Sequence, residues 1–175
     1  MTRSNNLSLD KFIEWALYNK KSGYYMKKNP FGKEGDFITA PNITRLFSEI
    51  IAIWIITFWK SLDSPKKFNL IELGAGNGEM MKVITETLKN FPECFGACSF
   101  MIHEKSNFLI KQQKKNLNSE KVLWIKDIKK INSNPTLYLA NEFFDAIPFK
   151  QFFKKKENWV ERLVKLKTQK KPEFE

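Results

Sequence analysis

The chain has 175 residues, enough for one domain with a full core and too few for two full-sized ones. At 42% hydrophobic and 14% aromatic it has a globular profile, not a disordered one. The net charge of +11 is carried almost wholly by scattered lysine, with Arg only at Arg3, Arg45 and Arg162; that matches an AT-rich coding bias and disfavours a nucleic-acid reader, which clusters arginine with exposed aromatics.

The N-terminal stretch "MTRSNNLSLDKF" lacks the apolar core of a signal peptide. Ser8 is placed to cap a helix with Phe12, Ile13, Ala16 and Leu17 at helical spacing, and Gly23 is the expected stop. The following "MKKNPFGKEGDFITAPN" has two prolines, two glycines and no periodicity, so it reads as a long loop of the functional kind. "ITRLFSEIIAIWIITFWKSL" is apolar on most faces and is expected to be a helix buried on nearly all sides. Its apolar run, Ile50 to Trp59, is about half the length of a bilayer span. Together these features lead to an expectation of a soluble intracellular protein.

"FNLIEL" is a short apolar strand that runs into the glycine turn "GAGNG", and "EMMKVITETLKNF" continues as an amphipathic helix closed by Pro92. "CSFMIHE", "KVLWIKD" and "TLYLANE" are three more strands, with the helix "SNFLIKQQKKNL" after the first of them. "FKQFFKKKENWVERLVKLK" is expected to form a hairpin or one more strand pair, and residues 167–175 a frayed polar tail. This alternation predicts an α/β protein with a mostly parallel sheet and helices on both faces. Cys94 and Cys98 have only His103 near them in sequence, so no metal site is expected, and two free thiols suit a reducing compartment.

A strand, a glycine turn and a helix start bring backbone N–H groups and a positive helix end to a ligand. Gly74, Gly76 and Gly78 give G-x-G-x-G, and Glu79 stands where a dinucleotide fingerprint needs a small residue. No Walker lysine follows. Glu72, two residues before the first glycine, favours S-adenosylmethionine, whose methionine amino group an acid can bind. Glu104 ends the second strand, where a carboxylate can accept both ribose hydroxyls. Asp127 follows the third strand, placed for an adenine amino group, and Asn141-Glu142 follow the fourth. Three strand ends in sequence order thus fit one cofactor path. His103 is expected to be a strand residue.

The segments "GYYMKKNPFGKEGDFITAP", "LIELGAGNGEMM", "IHEKS" and "LANEFFDAIPFKQFF…NWVERLV" resemble the MidA-type protein arginine methyltransferases, bacterial and mitochondrial proteins linked in mitochondria to arginine methylation of a respiratory complex I subunit during assembly. The resemblance runs from about Leu9 to Leu166. It implies a Rossmann-like class I methyltransferase fold with S-adenosylmethionine on Glu72, Gly74, Gly76, Gly78 and Glu104, in the bacterial cytoplasm or the mitochondrial matrix. The chain departs from the family at Pro41-Asn42-Ile43-Thr44, where Pro-Glu-Ile-Ser is usual, and at Ser48, often Gly. Family members also run on past "ERLV", so the sheet is expected to be incomplete at the C-terminus, with an unpaired edge that a second chain would cover.

The expected division is residues 1–66 as N-terminal helices and substrate-side loop, 67–166 as the cofactor core and 167–175 as the tail. Arginine methylation requires carboxylates that fork-bind a guanidinium and aim one nitrogen at the methyl group. Glu142 and Asp145 of "NEFFDA" are the catalytic candidates, with Asp36 of "GDFITAP" a third, and Phe143 and Phe144 as walls that exclude water. Asn141-Glu142-Phe143-Phe144 stands where amine- and amide-methylating enzymes carry Asn-Pro-Pro-Tyr, so another nitrogen acceptor stays open. The alternative from a different class is a non-catalytic or split-enzyme assembly module that keeps the fold and needs a partner chain.

Overall fold

The computed structural model describes residues 6–27, 30–32, 35–118, 121–165 and 173–174. Along the chain they form β1 (Asn6–Ser8), α1 (Leu9–Tyr18), α2 (Tyr24–Lys27), α3 (Ala40–Ile43), α4 (Arg45–Ser61), β2 (Phe68–Leu73), α5 (Glu79–Leu88), α6 (Pro92–Ala97), β3 (Cys98–His103), α7 (Asn107–Leu117), β4 (Val122–Ile125), β5 (Thr136–Leu139), β6 (Phe152–Lys155), β7 (Asn158–Glu161), β8 (Leu163–Lys165) and β9 (Glu173–Phe174). Two compact units result: Lys28–Phe143, and Met1–Lys27 together with Phe144–Glu175. Apart from residues 173–174, the expected frayed tail lies outside the described residues.

In the unit Lys28–Phe143 the four strands make a parallel sheet in the order β4–β3–β2–β5. β2 is central, with Leu70 opposite Phe100 of β3 and Leu137 of β5. Residues two apart share a face, and Phe68, Leu70, Phe100, Ile102 and Val122 pack with Ala52, Ile55 and Trp59 of α4, Met81, Ile84 and Leu88 of α5, and Leu117 of α7. Each of the larger aliphatic, Met and Phe side chains contributes roughly 1.5–3 kcal/mol of burial. The helices therefore share one face. The expected helix layer on the other face is not formed among the described residues of this unit: β4 returns to β5 through a 3-10 turn, Ile128–Lys130, and coil. On that side Asn69, fully buried, donates from Nδ2 to Asn132 Oδ1 (2.8 Å) and Thr136 Oγ1 (3.1 Å), tying the crossover to the sheet.

Two caps place the helices. Thr44 Oγ1 accepts from Leu46 N at 3.2 Å to start α4, and Ser106 Oγ accepts from Leu109 N at 3.3 Å to start α7. Pro92 opens α6 rather than closing α5, which ends at Leu88. α4 departs from the expectation of burial all round. Ala52, Ile55, Ile56 and Trp59 face the core, whereas Leu46, Ile50, Ile53 and Trp54 are exposed. At the two ends of the expected loop, α2 and α3 form short turns, the second with Pro41 near its start.

In the other unit, β1, β8 and β9 form an antiparallel sheet in the order β1–β8–β9, and β6 and β7 form the expected hairpin, turning through Lys156 at φ +54. Among its described residues, Leu9 and Val164 are the buried apolar ones. Ser8 stands at the N-cap position of α1 without a side-chain capping bond. The helix stops at Tyr18, before Gly23, because Asn19 Oδ1 accepts from Lys21 N (2.9 Å) and Ser22 N (3.1 Å) and turns the chain there.

Candidate functional site

The glycine turn leaves β2 at its carboxyl end, the edge at which open α/β sheets bind ligands. Gly74, Gly76 and Gly78 all have left-handed backbones, with φ of +66, +55 and +84. Gly74 N donates to His103 O at 3.0 Å, which ties the turn to the end of β3. Asn77 braces the rest: its Oδ1 accepts from Glu79 N (3.2 Å), its Nδ2 donates to Asn42 Oδ1 (2.7 Å), and its carbonyl accepts from Asn116 Nδ2 (3.2 Å).

The space left by each missing Cβ is taken up by protein. A Cβ at Gly74 would meet Phe143 Cδ2 at 2.6 Å, one at Gly76 would meet Phe31 Cδ2 at 3.2 Å, and one at Gly78 would meet Leu117 Cδ1 at 2.5 Å. Gly78 thus lets α7 approach α5 closely, while Gly74 and Gly76 each seat an aromatic ring. Those rings bring two distant segments to the turn. Phe31 lies in a tight loop closed by Phe37 N to Pro30 O (2.8 Å) and Gly32 N to Phe37 O (3.0 Å), which carries exposed Asp36. Phe143 follows Glu142, an exposed residue in the left-handed region at φ +48.

Beneath the turn lie two buried acids on the helix-covered face. Glu72 is 4% exposed, and its Oε2 has no hydrogen-bond partner. Burial, with the nearby charge of Glu104 adding to it, pushes its carboxyl up to about 8, against the lowering effect of a backbone bond from Met81. Burial also raises Glu104, although Ser106 N donates to its Oε1 (2.9 Å) and Gln113 Nε2 to its Oε2 (3.2 Å). A buried acid pair with an unmet acceptor is suited to a ligand that brings a cationic centre and hydroxyl donors. These are the groups of S-adenosylmethionine, so the residues present fit that cofactor.

Asp127 stands just past β4, as expected. It is exposed, and its Oδ1 accepts from Lys129 N at 2.9 Å as the cap of the 3-10 turn. It borders a cleft of about 360 Å³ with Met101, Ile125, Lys126, Lys130, Ile131 and Asn132. Asn141 is half-buried just past β5. Asp145, exposed in a 3-10 turn, belongs to the other compact unit. His103 is a strand residue, with Nδ1 3.2 Å from Ile125 O. Sequence reasoning missed Gln113, which is fully buried in the lysine-rich helix α7, and Phe31, whose loop gives no periodic signal.

Residues 50–175 match the family profile described as S-adenosyl-L-methionine-dependent methyltransferase. A Xenopus laevis protein named protein arginine methyltransferase NDUFAF7, mitochondrial, is 29% identical over 182 residues, covering 90% of this chain and 42% of that one. The Drosophila melanogaster homolog of that name is 30% identical, covering 87% of this chain and 40% of its own length. A Burkholderia thailandensis protein crystallised with S-adenosyl-homocysteine superposes with a TM-score of 0.79 at 23% identity, over 97% of this chain and 45% of that chain. The last likeness shows a common fold. In every case the chain spans less than half the length of the protein it matches.

Proposed function

We propose that this chain, which belongs to the S-adenosyl-L-methionine-dependent methyltransferase family, is the cofactor-holding part of an enzyme that methylates protein arginine. The observation that carries the reading is the buried pair Glu72 and Glu104 under the left-handed turn, with Glu72 Oε2 left without a partner. Glu72 and the turn Gly74, Gly76 and Gly78 are assigned to the methionine part, Glu104 to the ribose, and Asp127 and Asn141 to the adenine side. On this reading residues 67–166 are the cofactor core and residues 1–66 the substrate-side segment.

S-adenosylmethionine supplies a methyl group bonded to a cationic sulfur. What the protein must add is alignment of the nucleophile and exclusion of water. Arginine keeps its proton at neutral pH, so a carboxylate has to hold the guanidinium and take up the proton it loses. Glu142 is placed first for this role, and Asp145 and Asp36 are candidates for the same role. Arginine as acceptor, a complex I subunit as protein substrate and a mitochondrial matrix or bacterial cytoplasmic setting rest on the family resemblance and on the names of the relatives.

Calorimetric titration of the 175-residue chain with S-adenosylmethionine tests the reading. Micromolar binding supports it; a folded chain that binds nothing overturns it. One observation favours a second reading. β5 has β2 on one side and, among the described residues, no strand on the other. A partner chain that adds a strand there would make this a split enzyme or an assembly module. Turnover that appears only on addition of that partner would select it.

A further inference from the structure

Gln113 has no exposed surface, yet both ends of its amide are hydrogen-bonded. Nε2 donates to Gly76 O at 3.0 Å and to Glu104 Oε2 at 3.2 Å, while Oε1 accepts from Trp124 Nε1 at 2.8 Å. The indole can only donate, so the amide oxygen must face Trp124 and the nitrogen must face the other two. The side chain therefore has one orientation, fixed from β4, and from it reaches both the glycine turn and the acid at the end of β3.

We infer that Gln113 is the positioning residue that makes Glu104 a reader of the ribose diol. The inference rests on the cofactor reading above. Ser106 N holds one carboxylate oxygen and Gln113 the other, so the plane of the carboxylate is set before any ligand arrives. A carboxylate held in this way discriminates between ligands with and without ribose hydroxyls, whereas one free to rotate discriminates less.

The test measures dissociation constants of the full chain for S-adenosylhomocysteine and for its 2′,3′-dideoxyribose analogue. In the wild type the analogue should bind at least about tenfold more weakly, since two hydrogen bonds to a charged acceptor are lost. Gln113→Met removes the amide at similar length and takes away its bonds to Gly76 O, Glu104 Oε2 and Trp124 Nε1, leaving Glu104 held at Oε1 alone. It should weaken S-adenosylhomocysteine about five- to hundredfold and cut the penalty for the missing hydroxyls to less than about threefold. Trp124→Phe, which frees the amide to turn, should shift both values in the same direction by less, and it carries the test if Gln113→Met does not fold. Equal weakening of both ligands would mean a merely structural role and overturn the inference. A folded wild type that binds neither ligand would overturn the cofactor reading, and this inference with it.

Discussion

Glu72 and Glu104 lie on one face of the sheet at the carboxyl ends of adjacent parallel strands, and the charge of Glu104 helps to keep Glu72 protonated. Burial is the larger cause, and the two together lift Glu72 from its ordinary 4.5 to about 8. A carboxyl raised in this way favours the folded state only while it holds its proton. Its contribution is complete below about pH 4.5, falls as pH rises, and is gone above about 8. The ligand-free chain should therefore melt at progressively lower temperature between pH 5 and 8. Glu72→Gln should flatten that slope, leaving the smaller part of the same sign that Glu104 contributes. Melting curves across this range decide it; identical slopes in both proteins would show that Glu72 is not a buried acid.

The same raised carboxyl links ligand binding to proton release. A cationic ligand beside Glu72 favours its ionised form. On the cofactor reading, S-adenosylmethionine binding at pH 7 should release up to about one proton, and S-adenosylhomocysteine, without the sulfonium charge, should release fewer. Calorimetric titration in two buffers of different ionisation enthalpy measures the difference. Equal proton release for both ligands would place the sulfonium away from this acid.

Gly74 is constrained twice, by φ +66 and by the ring of Phe143 lying 2.6 Å from where a Cβ would be. Gly74→Val should cost about 1–3 kcal/mol of stability from backbone strain alone, and more from displacing the ring. Loss of cofactor binding should follow because the turn and the segment carrying Glu142 move together. Pairing Gly74→Val with Phe143→Ala relieves the clash but not the strain, so the double variant should regain only part of the lost stability. Denaturant titration of the three variants is the check. Full recovery in the double variant would mean that φ imposes no constraint.

Glu142 sits at φ +48, where a side chain is strained. If the carboxylate serves the acceptor, two substitutions should diverge. Glu142→Gln should leave stability and cofactor affinity unchanged and remove methylation. Glu142→Gly should also remove methylation but raise stability by several tenths to about 1 kcal/mol, because glycine accepts this backbone. Turnover by Glu142→Gln at the wild-type rate would exclude the role, whatever the stability of the glycine variant.

Much of the cofactor half was legible because its signals are local. A six-residue apolar strand, a glycine turn and an amphipathic helix follow one another in "FNLIELGAGNGEMMKV", and the structure has them in that order. Glu72 and Glu104 could be singled out since each stands at a fixed offset from a strand end. Gln113 could not, because a glutamine in "KQQKKN" has no periodic signature, and its importance comes from Trp124 and Gly76, which are distant in sequence. The pairing of β1 with β8 was hidden for the same reason, since it joins Asn6–Ser8 to Leu163–Lys165 across nearly the whole chain. Asp127 does follow a strand end, as its spacing suggests, while the cap that its Oδ1 gives to Lys129 N is a local feature of the turn that begins there.

α4 shows most clearly where composition misleads. Its apolar residues suggest burial all round, yet Leu46, Ile50, Ile53 and Trp54 are 58%, 57%, 49% and 48% exposed, and Ala52 and Ile55 are fully buried. The exposed residues follow helical spacing, so they form one stripe, and an apolar stripe of this kind marks an interaction surface. Substitution separates the two faces. Ile50→Glu and Ile53→Lys should change unfolding free energy by no more than about 0.5 kcal/mol, as surface changes do. Ile55→Ala should cost about 2–5 kcal/mol through lost burial and a cavity. If the charged variants instead lose as much stability as Ile55→Ala, the stripe is covered in solution, and the loss should then fall with dilution if a second copy supplies the cover.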